Sequence, residues 1–438
     1  MSRYSRVALC LVLHVLAACN LIIDFEPKNP YVRDAGGEGD ADTDGDSDPD
    51  ADSDTDPDSD TDTDPDFDPD GDAPCSIELR YVNSATAGAA PRNIDFGDID
   101  MDGLPDAVVA SSSGPSSIEV FTNDALADGR ALVHQSTIAF PPNVALGAAR
   151  IGHLDSGGPF EILAFVWDGS SLFGYIQIFQ VGESSPRDSW GLGQQPFQGG
   201  VLANLDGNSN RDIVGTTWSE SPSNGALRFL LRANDGDRGT ENSIDFSTEE
   251  PGRIVAADFD FDGKDEVVVG VTTRLGDLVR IYHEQDGSLI HTESAVDCDV
   301  RDIAVADFDG DDERPDTVVL ACVVGGPRMY RVSDAFELES EVVLHTPDHR
   351  GDAALAVAAG DLDGDGDDDI VACYAMELVP FCNDHASPVA CGCGTPIDTG
   401  EDEHALGIVN IDGDPEGRED VVLAASGLHT YLSFVSEE

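Results

Sequence analysis

Seven short acidic segments recur along this chain at nearly constant spacing, and each is flanked on both sides by apolar residues. They fit the pattern D-x-[DN]-x-D-G-x-x-[DE] to differing degrees, and the clearest runs from Asp361 to Asp369. We number them loop one to loop seven; they begin at Asp98, His153, Asn204, Asp258, Asp307, Asp361 and Asn410. Successive starts are 49 to 55 residues apart. A fixed period of about 50 residues indicates a repeat architecture in which each repeat is one supersecondary unit.

The residues around each loop predict four strands per repeat. A short apolar strand leads into the loop, as in Ile254–Ala257, and a β-branched strand such as Val267–Val269 leaves it. Continuous apolar runs of this kind suit strands that are buried on both faces. A third strand alternates, as in Leu278–Tyr282, and a weaker fourth fits Ser288–Thr292. Seven such units without helical periodicity predict an all-β fold, a seven-bladed β-propeller with four-stranded blades.

The two ends of the repeat region predict how the ring closes. The last repeat has no fourth strand, whereas a spare alternating strand, Ile77–Val82, precedes the first repeat. We expect this strand to complete the last blade as its outer strand, because that leaves no open sheet edge. The predicted propeller domain therefore spans residues 75–438.

The loops also carry a family resemblance. The repeat region from Cys75 to Glu438 resembles the FG-GAP/VCBS repeat family and is similar to the N-terminal propeller of integrin α subunits. The resemblance is strong in loops one, four, five and six, fair in loops three and seven, and poor in loop two. It implies calcium loops between the first and second strands of each blade, on the lower face, and ligands at the upper face.

Carboxylates at alternating positions of a tight loop suit calcium, which takes six to eight oxygen ligands. Positions 1, 3, 5 and 9 of each loop are the predicted ligand positions, and Gly366 in loop six permits the sharp turn. The predicted ligands are Asp98, Asp100, Asp102 and Asp106 in loop one; Asn204, Asp206, Asn208 and Asp212 in loop three; Asp258, Asp260, Asp262 and Glu266 in loop four; Asp307, Asp309, Asp311 and Asp316 in loop five; Asp361, Asp363, Asp365 and Asp369 in loop six; and Asn410, Asp412, Asp414 and Asp420 in loop seven. Oxygen-only ligands favour calcium over zinc or copper, so we expect about four to six Ca²⁺ ions.

Several of these assignments have alternatives. Each loop alone could be an Asx-rich turn that requires no ion. Loop two, with His153, Asp155, Gly157 and Glu161, lacks a central ligand, and we expect it to hold no metal. Loops five and seven contain insertions before Asp316 and Asp420, which put the closing ligand in doubt.

The N-terminus predicts export and lipidation. Arg3 and Arg6 precede an apolar run that ends in Leu16-Ala17-Ala18-Cys19, which resembles the lipobox of bacterial lipoproteins. Residues 1–18 would then be a signal peptide and Cys19 the lipidated N-terminus, the alternative being an ordinary secretory signal. Residues 19–74 are dominated by aspartate and predict a disordered linker that extends by self-repulsion. We expect a monomeric, lipid-anchored domain in the cell envelope, at the outer membrane or cell surface.

The net charge of the chain limits the classes of partner that it can bind. The chain has 87 acidic and 23 basic residues and a formal net charge of −64. Such a charge excludes nucleic acid and anionic lipid headgroups as direct partners, because both would be repelled. Bound divalent cations would neutralise part of it.

Two residue pairs are candidates for other roles. Trp167 and Trp218 lie at equivalent places in repeats two and three and could bind a glycan or peptide, the alternative being packing at the rim. Cys298 and Cys322 are candidates for a disulfide at the upper side of blade five, since an exported protein permits one. Cys382 could pair with Cys391 or Cys393, and these three could instead bind zinc, although they lack paired C-x-x-C spacing.

The sequence contains no H-E-x-x-H motif, no G-x-S-x-G motif and no glycine-rich phosphate loop. A binding or adhesion module for a protein or glycan is the favoured function. A polysaccharide-active hydrolase or lyase using two carboxylates is one alternative, because spacing across blades is invisible in sequence. A deep central pocket with convergent carboxylates would favour that enzyme. The other alternative is a structural cell-surface protein.

Overall fold

The structure of the protein is a computed structural model that describes residues 77–435 except for 86, 88–89, 113–114, 127–128, 155–158, 209, 221–222, 233–238, 286, 309–314, 345–352, 376, 384–388, 391–394, 397–404, 414–417 and 426. All described residues lie in one of the two units into which the chain divides, Gly71–Glu438. The predicted signal peptide of residues 1–18, Cys19 and the linker of residues 19–74 lie outside the described residues.

In the described part of the chain, twenty-nine strands form seven antiparallel sheets, the blades of a β-propeller. Blade one contains β2 (Pro91–Gly97), β3 (Asp106–Ser111), β4 (Ser117–Leu126) and β5 (Gly129–Ala139). Blade two contains β6 (Val144–Gly152), β7 (Glu161–Asp168), β8 (Phe173–Gln180) and β9 (Asp188–Gly191). Blade three contains β10 (Phe197–Ala203), β11 (Asp212–Glu220), β12 (Ser223–Leu231) and β13 (Thr240–Ser247). Blade four contains β14 (Glu250–Ala257), β15 (Glu266–Thr273), β16 (Gly276–Gln285) and β17 (Ser288–Val296).

The remaining blades are less regular. Blade five contains β18 (Val300–Ala306), β19 (Thr317–Cys322), β20 (Arg328–Val332) and β21 (Leu338–Val343). Blade six contains β22 (Ala356–Gly360), β23 (Asp369–Tyr374), β24 (Glu377–Cys382), β25 (Val389–Ala390) and β26 (Thr395–Pro396). Its fourth position is divided, because β25 and β26 both pair with β24. Blade seven contains β27 (Ala405–Val409), β28 (Asp420–Ala424), β29 (Leu428–Val435) and β1 (Ile77–Ala85).

The predicted closure by the N-terminal strand is confirmed. β1 pairs antiparallel with β29 along its whole length, from Ile77 opposite Val435 to Ala85 opposite Leu428. Ile77 and Leu79 are buried in the apolar cluster between blades six and seven. The two ends of the repeat region therefore share one sheet. The third strand of blade seven, β29, has β1 along its outer edge, so that edge is not left unpaired.

The first strands of the blades form the inner wall of the ring. Each contacts the first strand of the next blade, and β2 contacts both β6 and β27, which closes the circle. They surround a central channel of about 710 Å³. Because each acidic loop joins a first strand to a second strand, all seven loops lie on one face of the ring, the lower face. The opposite face is the upper face.

The core consists of seven apolar clusters, one between each pair of neighbouring blades. Second strands supply most of it, and every residue of β3, β19, β23 and β28 is buried. This confirms that the continuous apolar runs are strands covered on both faces. Fourth strands such as β17 alternate between exposed and half-buried residues, because one of their faces meets water. Among the described residues, no helix is long and apolar enough to cross a membrane.

Candidate functional site

The closing carboxylate of each acidic loop ties three parts of a blade together. In loop six, one oxygen of Asp369 accepts the N–H of Leu362 at 3.0 Å, and the other accepts the N–H of Asn383, which follows the third strand, at 2.9 Å. Asp106 accepts the N–H groups of Ile99 and Asn123 in the same way, both at 2.8 Å. The same arrangement recurs for Asp212 and Asp420. The position 9 carboxylate therefore has a structural role in addition to its predicted role as a ligand.

Among the described residues, three loops each bring three of their four predicted ligands close together, which leaves Asp102, Glu266 and Asp369 outside these sets. In each of the following sets, one oxygen per residue lies within 4.8 Å of the others: Asp98, Asp100 and Asp106; Asp258, Asp260 and Asp262; Asp361, Asp363 and Asp365. Oxygens that share one calcium ion at 2.3–2.6 Å are separated by at most about 5 Å. The spacing of these side chains therefore fits a common calcium ion.

Backbone N–H groups hold these carboxylates in place. In loop six, Asp361 accepts the N–H of Gly364 at 2.6 Å with one oxygen and the N–H of Gly366 at 3.1 Å with the other. Asp363 and Asp365 each accept the N–H two residues later, at 3.2 and 3.0 Å. Loop four repeats the pattern through Asp260. These Asx turns order the loop, and each leaves oxygen lone pairs free for a cation.

Position 4 of the loops lies in the left-handed region as well as position 6. Glycine occupies position 4 in loops three, six and seven, whereas Met101 and Phe261 adopt φ of 65° and 59° in loops one and four. Both of these apolar side chains are more than half exposed. Non-glycine residues in this region carry a cost of order 1–2 kcal/mol. The sequence pattern predicts a turn at position 6 only, so this second constraint was missed.

In loops three and four, the residue at position 1 contributes a buried oxygen that finds no hydrogen-bond partner among the described residues. Oδ1 of Asp258 and Oδ1 of Asn204, both at position 1, are buried in this way. The other oxygen of Asp258 accepts the N–H of Gly263 at 3.0 Å. A buried acceptor without a donor is costly, and a cation would satisfy it. These atoms fit a calcium ion in loops three and four.

Burial, together with repulsion between neighbouring carboxylates, raises the pKa values of the buried carboxylates in the loops. Burial, and to a smaller extent the nearby carboxylates Asp260 and Asp258, raises the pKa of Glu266 to about 8. Burial likewise raises the pKa of Asp369 to about 7 and that of Asp212 to about 6. Without a cation, Glu266 therefore holds a proton at neutral pH and Asp369 is partly protonated, whereas Asp212 is mostly ionised. A divalent ion would favour the ionised form of each.

The closing residues of loops five and seven keep their position despite the insertions that precede them. Asp316 and Asp420 still accept the N–H of the residue at position 2, at 3.1 and 2.9 Å, so the insertions do not displace the closing residue. The predicted ligands Asp309, Asp311 and Asp414 lie outside the described residues.

In loop two, Glu161 forms an ion pair with Arg187 at 2.6 Å, and Asp155 and Gly157 are not described. In loop four, Lys264 Nζ lies 3.4 Å from Asp262 and competes with a cation for it.

Residues at position 8 link neighbouring loops, which the sequence pattern did not predict. Asp368 of loop six accepts the N–H of Asp307 in loop five at 2.8 Å and donates its own N–H to the Asp307 carbonyl at 2.9 Å. Asp265 of loop four makes the same pair of bonds with Asn204 of loop three, at 2.6 and 2.7 Å. Glu419 donates its N–H to the carbonyl of Asp361 at 2.8 Å. The available signal was an acidic residue directly before the closing carboxylate in loops four, six and seven.

The two tryptophans occupy equivalent places in β7 and β11 but differ in exposure. Trp218 is buried, with 9 % of its surface accessible, whereas Trp167 is half-buried. The backbone N–H of Trp218 donates to the carbonyl of Pro196 at 3.0 Å. Trp218 therefore offers a ligand little surface, and of the two only Trp167 retains an accessible ring.

The cysteines that the structure describes are divided between disulfides and one free thiol. Cys298 and Cys322 form a disulfide with Cα atoms 5.4 Å apart, at the end of blade five opposite its acidic loop. Cys382 is also disulfide-bonded, and its predicted partners Cys391 and Cys393 lie outside the described residues. A sulfur held in a disulfide is not a thiolate ligand, so Cys382 is excluded from zinc binding in this state. Cys373 is free and buried.

The central channel contains charged groups from four blades. Arg150 Nη1 lies 3.9 Å from Asp95, and Arg253 Nε lies 3.8 Å from Asp302. Both carboxylates face the channel and keep 28 % and 22 % of their surface accessible, yet protein surrounds them deep in the ring. Burial raises the pKa of both carboxylates, and the neighbouring arginines oppose that rise.

Comparison with known proteins supports the fold. No protein-family model matches the chain, and no curated protein matches it in sequence. It is similar to the crystal structure of BBS1N in complex with ARL6DN soaked with mercury, with 12% identity, a TM-score of 0.52 and coverage of 82% of this chain and 97% of that chain. It is also similar to the crystal structure of Saccharomyces cerevisiae Sqt1, with 13% identity, a TM-score of 0.50 and coverage of 82% and 100%. Likeness at these identities shows the β-propeller fold alone.

Proposed function

We propose that this chain is a calcium-binding β-propeller of the FG-GAP/VCBS type, anchored to a cell envelope through a lipid on Cys19, that binds a protein or glycan ligand. The observation that carries the calcium assignment is the repeated clustering of carboxylate oxygens within 4.8 Å in loops one, four and six. The buried Oδ1 of Asp258 supports it, because this acceptor has no donor within the described part of the chain.

The role of calcium in this proposal is structural. The ligands come from loops that already fix the first strand to the second, and the closing carboxylates are tied to the third. A bound ion holds the ionised carboxylates together at the lower face and offsets their mutual repulsion. It leaves the upper face and the channel for other ligands.

The stoichiometry of calcium tests this part of the proposal. Isothermal titration of the chelator-treated protein is expected to give about four to six sites, and Asp258→Asn is expected to lower the count or weaken one site. Asp334→Asn is the control, because Asp334 is an exposed turn residue outside the loops. Equal titrations of the native protein and the Asp258→Asn variant would contradict the assignment of loop four.

Binding of a protein or glycan rests on the scaffold. β-Propellers commonly serve as protein-binding modules, and the structurally similar BBS1N was crystallised in complex with ARL6DN. Protein and glycan arrays probed with the protein in millimolar calcium test this directly. Saturable binding of one class would identify the ligand, and the absence of any binding would favour the structural cell-surface role. Labelling with a radioactive fatty acid, abolished in Cys19→Ser, tests the anchor.

A specific observation favours one alternative, a polysaccharide-active hydrolase or lyase. Asp95 and Asp302 both face the central channel, and burial raises the pKa of each, as a general acid requires. The test is release of reducing ends or unsaturated products from neutral and acidic polysaccharides. Activity that is lost in Asp302→Asn would establish the enzyme, and inactivity on the whole panel would leave the binding role.

A further inference from the structure

The charge balance of the central channel is the reverse of that of the chain. Acidic residues outnumber basic ones 87 to 23 in the sequence. Among the described residues that line the channel, four are arginines and three are aspartates: Arg92, Arg150, Arg211, Arg253, Asp95, Asp265 and Asp302. Arginine is the side chain suited to bidentate contact with carboxylates.

The arginines at the centre are held by backbone carbonyls of other blades. Arg150 of blade two donates from Nε to the carbonyl of Gly200 in blade three at 2.7 Å. Arg253 of blade four donates from Nε to the carbonyl of Arg301 in blade five at 3.1 Å, and from Nη1 to the carbonyl of Arg92 in blade one at 2.6 Å. A guanidinium has five N–H donors. Most donors of Arg150 and Arg253 thus make no hydrogen bond to the residues that the structure describes.

The carboxylates are fixed in the same manner. Oδ2 of Asp95 accepts the N–H of Ile151 in blade two at 2.6 Å. Asp302 accepts a backbone hydrogen bond from Val357 in blade six. The gaps of 3.9 and 3.8 Å between these carboxylates and their arginines exceed hydrogen-bonding distance. The backbone of the ring therefore holds these guanidinium and carboxylate groups in position. The two arginines and their carboxylates make no direct hydrogen bond to each other.

The rest of the lining is largely apolar. Ile94, Val201, Val255 and Ile408 line the channel together with several alanines and glycines. The volume of about 710 Å³ lies within the range typical of small-molecule sites, which combine apolar walls with a few fixed polar groups. Apolar walls suit a carbon skeleton better than an inorganic anion, and the excess of arginines over aspartates disfavours a metal cation.

We propose that the central channel binds a small hydroxylated carboxylate, of the chemical class of the sugar acids. The guanidinium groups of Arg150 and Arg253 receive the ligand carboxylate, and Asp95 and Asp302 accept hydrogen bonds from its hydroxyl groups. This inference does not depend on calcium or on the lipid anchor, because none of these four residues belongs to an acidic loop.

Titration calorimetry with D-gluconate and D-glucuronate in millimolar calcium tests the proposal. D-Glucose, which lacks the carboxylate, and acetate, which lacks the hydroxyl groups, are the control ligands. We expect one-to-one binding of at least one sugar acid and at least tenfold weaker binding of glucose and acetate. Arg150→Gln is expected to weaken the sugar acid at least tenfold, whereas Arg274→Gln, at an exposed hairpin, leaves it unchanged.

Arg150→Lys guards against a folding artefact, because lysine keeps the charge but lacks the bidentate fork. It is expected to retain the native melting temperature within a few degrees and to bind several-fold more weakly than the native protein. Failure of both sugar acids to bind, or equal binding by the native protein and the Arg150→Gln variant, would overturn the proposal. Calcium binding is measured in a separate titration. Failure of the sugar-acid proposal and failure of the calcium proposal can therefore be distinguished.

Discussion

The link between loops five and six yields a prediction whose size follows from the structure. In Asp368→Ala, the N–H of Asp307 loses the carboxylate oxygen that lies 2.8 Å away, while the reciprocal backbone bond at 2.9 Å is kept. Losing a half-buried hydrogen bond to a charged acceptor costs about 1–3 kcal/mol. Unfolding entropy is about 2.1 cal/mol/K per residue, so a unit of roughly 370 residues loses about 0.8 kcal/mol of stability per degree. The variant is expected to melt roughly 1 to 4 °C lower.

Calcium distinguishes this structural link from a metal site. Asp368 is not among the predicted ligands, so the loss is expected to be equal in millimolar calcium and in excess chelator when melting is followed by circular dichroism. Asp334→Ala, at an exposed turn, is the matched control and is expected to melt with the native protein. A loss that appears only in calcium, or no loss in either buffer, would refute the reasoning.

Two further predictions concern protonation and packing. Burial raises the pKa of Glu266 to about 8, so the folded chain without calcium binds a proton that the unfolded chain releases, and stability falls as pH rises from 7 to 9. Buried histidines with lowered pKa act in the opposite direction only below about pH 6.5. In chelator the melting temperature is therefore expected to be lower at pH 9 than at pH 7, and a flat profile would contradict this. Gly147→Ala places a Cβ 2.6 Å from the carbonyl oxygen of Phe197, whereas in Gly152→Ala the nearest atom is a mobile methyl of Leu202. The first variant is expected to lose about 1–3 kcal/mol in urea unfolding and the second markedly less, and the reverse order would contradict the packing.

The architecture was predictable because its signals are local and repeated. Strands buried on both faces read as continuous apolar runs, as in Val267–Val269, and the acidic loops mark the same junction in every blade. Closure by the strand beginning at Ile77 followed from counting strands in the last repeat. The strands and loops were recognised from residues that are near one another in sequence, whereas closure joins Ile77 to Val435 and followed from the count alone.

Most of what the sequence did not reveal depends on contacts between blades. Arg253 and the carbonyl it reaches on Arg92 are 161 residues apart, and no spacing rule connects them. The link from Asp368 to Asp307 likewise spans 61 residues. For Trp218 the sequence left ligand binding and packing at the rim as alternatives, and its burial agrees with packing. The left-handed backbone at Met101 was hidden, because its side chain gives no sign of the turn that glycine would signal.

Thermal melting of the protein with millimolar calcium and with excess chelator tests the central claim most directly. Extracellular calcium sites bind at roughly 10⁻⁴–10⁻³ M. At ten times the dissociation constant each site adds about 1.4 kcal/mol, so five sites add about 7 kcal/mol. At about 0.8 kcal/mol per degree, calcium is expected to raise the melting temperature by roughly 9 °C. The same melting temperature in both buffers would mean that the acidic loops are solvated turns, and the calcium assignments would fall together.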